Sequence, residues 1–196
     1  MIKSNPLELD GTKSCILVGN GPSVMYEKLG HIIDSFDDVL RFNQCAIKGF
    51  EEYTGSKTTI WSTFGRGMLP IDEDLRPNKV IYTHGEVGQP AYLPEKLWRI
   101  PLSYYNELRG IIQKETKKEN PSVLLPSSGV LIIKWLLDNV YDELTIIGFD
   151  NFSKTKSGKH HYWVDRSFKK PKEHDDEWES NYIENLIVSS KIKRLI

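Results

Sequence analysis

Only two cysteines, Cys15 and Cys45, occur among 196 residues, so the sequence carries no disulfide framework and nothing that asks for an oxidising compartment. It also lacks an excess of charge. The 26 basic and 27 acidic side chains leave a formal net charge of −1, which argues against a nucleic-acid partner bound by bulk phosphate contacts. Long apolar runs are missing too. "VLIIKWLL" is the most apolar stretch, and Lys134 interrupts it, so no membrane span is expected. The start, "MIKSNPLELDGTKS", is polar and has no apolar centre of the signal-peptide kind. These absences predict a cytoplasmic protein, free or at the periphery of a membrane.

What is present is an alternation of short apolar runs and longer helical stretches. "CILVG" (15–19), "DVLRF" (38–42), "TTIWST" (58–63), "KVIYTH" (79–84) and "LTIIGF" (144–149) have the length and apolar content of buried strands. "SVMYEKLGHIIDSF" (23–36) has helical spacing, and "SSGVLIIKWLLDNV" (127–140) is apolar on most faces, as a central helix would be. "EWESNYIENLIVSS" (177–190) is amphipathic, and "KIKRLI" reads as a last strand. The alternation predicts a single Rossmann-like α/β/α sandwich with a mostly parallel sheet, one domain over residues 1–196. The Gly- and Pro-rich stretches 65–78 and 85–96 are expected to be loops over the working edge of the sheet.

Two backbone features invite ligands. "VGNGPSV" (18–24) runs off the first strand into the first helix, where an α/β fold places its ligand. Gly21 allows close approach, and Asn20 and Ser23 supply polar side chains. The turn is half of a dinucleotide fingerprint, since Val24 stands where the third glycine belongs, and the second strand ends in Asn43 rather than an acid. An amide there can read a base or a hydroxyl. A plain tight turn explains the same residues. Farther on, "PSSGV" puts Ser127, Ser128 and Gly129 at the first turn of the most apolar helix. They form an ordinary cap, or a carboxylate or phosphate site at a helix start.

"GKHHYWVDRSFKKPKEHDDEWES" (158–180) holds three of the five histidines, His160, His161 and His174. A zinc set of His160, His161, His174 and Asp175 has no common ligand spacing. The "DED" of residues 72–74 has the letters of a metal-binding Asp-x-Asp, yet it lies between Pro70 and Pro77 and is expected to be solvated charge.

Taken in order, these segments resemble the animal-type sialyltransferases, glycosyltransferase family 29. "CILVGNGPSVMYEKLGHIIDSFDDVLRFNQCAIKGFEEYTGSKTT" (15–59) is similar to their motif L, and "PSSGVLIIKWLLDNVYDELTIIGFD" (126–150) to motif S. "HYWV" (161–164) is similar to motif III, and "HDDEWE" (174–179) to motif VS. "GNGPS", "RFNQ" and "SSGV" also resemble the bacterial sialyltransferases of family 42, while Lys-Thr-Thr and His-His-Tyr-Trp favour family 29. Region 64–125 matches none of the motifs. Tyr141 stands where secretory members carry the cysteine that pairs with the one in motif L, so the family disulfide is absent, as in a minimal microbial or viral-type member. Motif III ends in Val164 followed by Asp165 instead of an acid at once.

The resemblance implies a GT-A-like variant fold and an inverting transfer of sialic acid from a CMP-sugar to a glycan hydroxyl, with no metal or other cofactor. His174 would be the general base, having an unperturbed pKa near 6.5. His161, with the glycine turn, would hold the leaving phosphate. Asn20, Gly21, Ser23 and Asn43 would hold the nucleotide, and Gly148 and Phe149 would lie under its ribose and base. Ser127, Ser128 and Gly129 would receive the sugar's carboxylate, and Glu179 would fix the local helix. CMP-Kdo, another acid-sugar donor, fits the same scheme. A nucleotide-binding domain without turnover is the alternative from another class; a dinucleotide oxidoreductase fits less well, given Val24 and Asn43.

Overall fold

The computed structural model of the chain describes residues 6–64, 72, 75–83, 94–150, 161–163 and 172–195. Among these residues seven strands form one sheet: β1 (Cys15–Val18), β2 (Asp38–Phe42), β3 (Ile60–Thr63), β4 (Lys79–Tyr82), β5 (Lys96–Arg99), β6 (Leu144–Ile147) and β7 (Ile192–Arg194). Their spatial order is β5-β4-β3-β2-β1-β6-β7, and every neighbouring pair is parallel. The helices are α1 (Gly30–Ser35), α2 (Glu51–Thr54), α3 (Leu102–Glu115), α4 (Ser128–Asn139) and α5 (Asp176–Val188).

The three central strands β1, β2 and β3 are buried along their whole length, because layers cover both faces of a parallel sheet. On one face Leu17, Leu40, Phe42, Ile60, Ile81 and Ile146 pack with residues of α3, α4 and α5. On the other, Ile16, Val18, Val39 and Ile147 meet Val24, Leu29, Ile33 and Tyr162. Helix α4 is apolar nearly all round because it lies between the sheet and its sister helices, burying Val130, Leu131, Ile132, Ile133, Trp135 and Leu136. Replacing Leu136 by alanine there would cost about 2–5 kcal/mol.

Three expectations change. The helix over 23–36 is instead a 3-10 turn, Pro22–Met25, followed by α1 from Gly30. At the first residue of α1 a Cβ on Gly30 would stand 1.9 Å from the Glu51 carbonyl oxygen, so two segments meet at bare backbone. The loop assigned to 85–96 gives way at Lys96 to an edge strand, β5, and α3 fills a region with no assigned element.

The expected missing disulfide has a clear substitute. Tyr141 is buried beside Cys15 and donates its hydroxyl to Asp38 Oδ2 at 2.7 Å. Both cysteines are free and buried. Burial pushes both thiols up, Cys45 to about 12, so neither is a nucleophile near neutral pH. No helix among the described residues is long and apolar enough to cross a membrane.

From β1 the chain steps outward on one side as far as β5, and β6 then adds on the other side. The order therefore reverses between β1 and β6, and open α/β sheets bind ligands at the carboxyl ends of such a pair.

Candidate active site

At that reversal the two strand ends are stitched together by main-chain groups. Gly19 N–H donates to Ile147 O at 2.8 Å, and Gly21 N–H to Gly148 O at 2.9 Å. Gly148 has φ +72°, a left-handed conformation that favours glycine. A Cβ on Gly19 would come within 2.4 Å of Gly148 O. The next donor, Ser23 N–H, goes to the Asp150 carboxylate, 3.0 Å from Oδ2. Three N–H groups of the turn are thus spent inside the protein. Beside the turn that is expected to share the leaving phosphate with His161, the Asp150 carboxylate takes the Ser23 N–H. The sequence alone does not single out Asp150; an acid three residues beyond the end of the strand in "IIGFD" was the available clue.

Asn20 and Asn43 lie at neighbouring strand ends, as expected. Asn20 Nδ2 donates to the carbonyls of Phe42 (3.0 Å) and Gln44 (3.1 Å), tying β1 to the end of β2. Asn43 adopts φ +48°, and its Oδ1 accepts from Phe64 N–H at 3.2 Å. Below them Arg41 is fully buried. Its Nη2 reaches the carbonyls of Thr54 (2.7 Å), Gly55 (3.0 Å) and Lys57 (3.0 Å), and its Nε reaches Thr58 Oγ1 at 2.9 Å. Hydrogen bonds of this kind offset the cost of burying the charge, and they fix the loop leading into β3.

His161 stacks on Trp163, centroids 4.8 Å apart. The next residue, Tyr162, donates its N–H to Asn20 O at 3.1 Å and its hydroxyl to Ala46 O. The motif III segment is therefore fastened to the glycine turn, with His161 beside it. His160, Val164 and Asp165 lie outside the described residues.

Across the site, the segment preceding α4 is joined to the start of α5. Leu125 N–H donates to Glu173 O at 2.7 Å. His174 Nδ1 lies 2.9 Å from Leu125 O. A carbonyl only accepts, so Nδ1 carries a proton. Glu179, one helical turn on and only 2% exposed, reaches back to α4: Ser127 N–H donates to its Oε1 (2.8 Å) and Ser127 Oγ to its Oε2 (2.6 Å). Burial pushes the Glu179 carboxyl up, while His174 and the Ser127 hydrogen bonds pull it back. Asp175 caps α5 through Trp178 N–H at 3.2 Å. Lys118 Nζ donates to His174 O at 2.6 Å and stands 3.6 Å from Asp176 Oδ1.

A carboxylate does occupy the start of α4, then, but it belongs to Glu179. Ser127, expected to receive a sugar carboxylate, has its N–H and hydroxyl engaged by Glu179, and its Oγ also accepts from Val130 N–H at 3.3 Å as the helix cap. Gly129 also has a packing reason: an added Cβ would meet the Phe149 ring at 2.9 Å. That ring stands edge-on to Phe42, centroids 5.6 Å apart, and borders the crevice from below.

Among the described residues no group of three or more His, Cys, Asp or Glu side chains could hold a metal ion. Asp72 Oδ2 accepts the N–H groups of Ile47 (2.5 Å) and Lys48 (2.9 Å), so it braces a loop instead of being solvated charge; Asp74 lies outside the described residues. A cavity of about 520 Å³ opens at the amino ends of β3, β4 and β5, between Thr58, Thr59, Arg76, Lys79 and Lys96. It is at the opposite end of the sheet from the glycine turn and has no part in the site.

Residues 1–79 match the model of glycosyltransferase family 29 (sialyltransferase). The human CMP-N-acetylneuraminate-beta-galactosamide-alpha-2,3-sialyltransferase 1 is 26% identical over 204 residues, covering 93% of this chain and 58% of the human protein. Its Gallus gallus counterpart is 29% identical over 212 residues, covering 96% and 60%. The chain thus spans about three fifths of the length of these relatives. A mammalian sialyltransferase crystal structure superposes with a TM-score of 0.68 at 25% identity, over 93% of this chain and 68% of that one. The Campylobacter jejuni sialyltransferase CstII, solved with cytidine-5'-monophosphate, shares the fold with a TM-score of 0.60 at 17% identity, over 95% and 80%.

Proposed function

We propose that the chain, similar over most of its length to the sialyltransferases of glycosyltransferase family 29, is an inverting transferase that moves sialic acid from a CMP-sugar to a glycan hydroxyl. The observation that carries this reading is His174 with its Nδ1–H held by Leu125 O. In this reading the other ring nitrogen, Nε2, acts as the base for an acceptor hydroxyl. Nε2 takes the proton as the acceptor oxygen bonds to the anomeric carbon, and the bond to the CMP oxygen breaks on the opposite face, which inverts the centre. His161, beside the glycine turn, meets the charge that develops on the leaving phosphate. We assign the amides of Asn20 and Asn43, at neighbouring strand ends, to reading the base, and the N–H groups of Ser128 and Gly129 to a donor carboxylate.

We assign the reaction to the whole chain as one catalytic domain, and its place to the cytoplasm, on the two free buried thiols. A monophosphate leaving group carries less charge than a diphosphate, so turnover should survive excess EDTA. The deciding experiment is calorimetry with CMP, UMP, AMP and UDP, followed by a mass-spectrometric screen of CMP-sugars against a β-galactoside acceptor. CMP should bind best. Equal affinities, or tighter UDP, would sink the CMP-sugar assignment. Turnover with CMP-Kdo but not CMP-sialic acid would change the donor and keep the mechanism.

A further inference from the structure

We infer that Lys118 is a positioning residue for His174, its ammonium group holding the main chain of the base in place. The inference rests on the general-base reading above and deepens it. Lys118 lies just past the end of α3, in the region 64–125 that matches none of the four motifs. Its Nζ donates to His174 O at 2.6 Å and stands 3.6 Å from Asp176 Oδ1 and 4.0 Å from Asp175 Oδ1. A charged donor makes such a bond roughly twice as strong as a neutral one. The same segment grips the start of α5 at two further points. Thr116 Oγ1 donates to Asp175 Oδ2, and Glu115 Oε2 accepts Trp178 Nε1–H at 2.9 Å. Lys118 N–H donates in turn to Thr116 Oγ1 at 3.1 Å, so the lysine is tied to the residue that holds the helix cap.

The two bonds on His174 do different things. Nδ1–H on Leu125 O, 2.9 Å away, orients the imidazole. Lys118 Nζ on the carbonyl fixes the peptide from which the side chain springs. A ring held by its own hydrogen bond alone pivots about it, and Nε2, across the imidazole, moves with every tilt. A misplacement of about 1 Å can cost about 10²-fold in rate. The adjacent lysine makes no such contact. Lys117 Nζ meets Glu177 Oε1 at 3.2 Å between two exposed side chains, and ion pairs of that kind contribute little. Two neighbouring lysines on one segment therefore carry opposite expectations, one at the base's main chain and one at the surface.

The test joins single-turnover transfer from CMP-sialic acid to a β-galactoside with NMR of the His174 Nδ1–H in histidine-labelled protein. The variants are Lys118→Met, which keeps an aliphatic stem, Lys118→Arg, Lys117→Met, His174→Ala and the double variant Lys118→Met/His174→Ala. Thermal melts verify that each is folded. Lys118→Met should transfer about tenfold more slowly, within the range that misplacement costs, with CMP affinity unchanged. Its Nδ1–H should exchange with solvent about tenfold faster, the lower end for a lost charged hydrogen bond. Lys118→Arg should recover most of the rate, since a guanidinium can donate to carbonyl and carboxylate together, and Lys117→Met should match the wild type throughout. With His174 already replaced, Lys118→Met should cost nothing further, because residues acting as a unit are not additive. An equal loss in both backgrounds would make Lys118 a structural brace and overturn the inference. Wild-type transfer by Lys118→Met beside an inactive His174→Ala would overturn it alone, whereas full activity in His174→Ala would remove the base reading and the inference with it. Should the wild type transfer from neither CMP-sialic acid nor CMP-Kdo, the transferase reading falls. The Nδ1–H exchange then still judges the lysine, and an unchanged rate in Lys118→Met overturns its role.

Discussion

At the crevice between β1 and β6 the chain closes on itself largely through main-chain groups: Gly19 N–H on Ile147 O, Gly21 N–H on Gly148 O, and two glycines too close for a side chain on either. At the junction of α4 and α5 side chains do comparable work, with His174 on Leu125 O and Glu179 on both polar groups of Ser127. The two regions fail differently. A backbone-built crevice has no slack, because any added atom meets a carbonyl that cannot move without shifting a strand. A side-chain junction tolerates conservative exchange sterically and registers it in charge and proton position. Substitutions in the first should therefore cost folding, and substitutions in the second should cost chemistry.

The sharpest separation comes from His174→Ala. Loss of a general base costs about 10²–10⁴-fold in transfer, while the lost Nδ1–H bond to Leu125 O costs the fold only about 1 kcal/mol. Single-turnover transfer should fall by that factor, and CMP affinity by calorimetry should hold within about twofold. His161→Ala should lose both affinity and rate, since a phosphate contact acts in ground and transition states. Full activity in folded His174→Ala would place the base elsewhere.

Gly148→Ala should show the reverse. The residue sits at φ +72°, and its added Cβ would be 2.6 Å from Gly19 O and 3.1 Å from Gly19 C. Backbone strain and overpacking each cost about 1–3 kcal/mol. Chemical denaturation should record a loss of about 3 kcal/mol or more, with activity falling at least in proportion to the folded fraction. A stable variant that is selectively inactive would blur the contrast between the regions.

Glu179→Gln tests the junction at intermediate size. The amide oxygen can still accept Ser127 N–H, but the other end of the side chain becomes a donor. With the α4 splint loosened, kcat should drop by about tenfold, less than the roughly 10²-fold that a 1 Å misplacement can cost, and KM for the donor should change little. The pH dependence has a definite sign. Burial raises the Glu179 carboxyl in the folded protein, so folding favours its protonated form. That contribution is fully present below the ordinary carboxylate value and is lost as pH rises through the raised one. The variant lacks this titration, so its melting temperature relative to wild type should climb as pH increases from 4 to 7. A constant difference would mean that the carboxyl is not perturbed by its site.

The same contrast explains what the sequence disclosed. Six of the seven strands and helices α4 and α5 were legible because their apolar runs are nearly continuous or regularly spaced. β5 is an edge strand whose residues Lys96 to Arg99 are only partly covered, so no apolar run marks it. In α3 the buried residues Tyr105, Leu108 and Ile112 do recur at helical spacing, but polar and small residues dilute the pattern. The close approach of Gly30 to Glu51 is a tertiary contact, which periodicity does not encode. In the site, motif spacing pointed to His174, His161 and the glycine turn. The bonds from Ser127 to Glu179 span 52 positions, and Asp150 reaches Ser23 across 127. Each residue looked ordinary alone; only the folded chain brings the pairs together.

The smallest effect expected is also the finest test of the junction. Ser127 is occupied by Glu179, so a donor carboxylate would depend on the next groups of the turn, the Ser128 N–H and hydroxyl and the Gly129 N–H. Ser128 is the first residue of α4 and not its cap, so alanine there should change stability by no more than about 0.5 kcal/mol. One hydroxyl bond to a carboxylate is worth about 1.5–3 kcal/mol at most, and backbone N–H groups remain to share it. Ser128→Ala should therefore weaken a CMP-sugar by about three- to tenfold and leave CMP itself unchanged, because CMP has no carboxylate to lose. Ser127→Ala should instead lower the melting temperature, by removing a cap worth about 1 kcal/mol and a partner of Glu179, and should weaken both ligands alike. If the two serines behave the same way, the start of α4 is a cap throughout, and the donor carboxylate is held elsewhere.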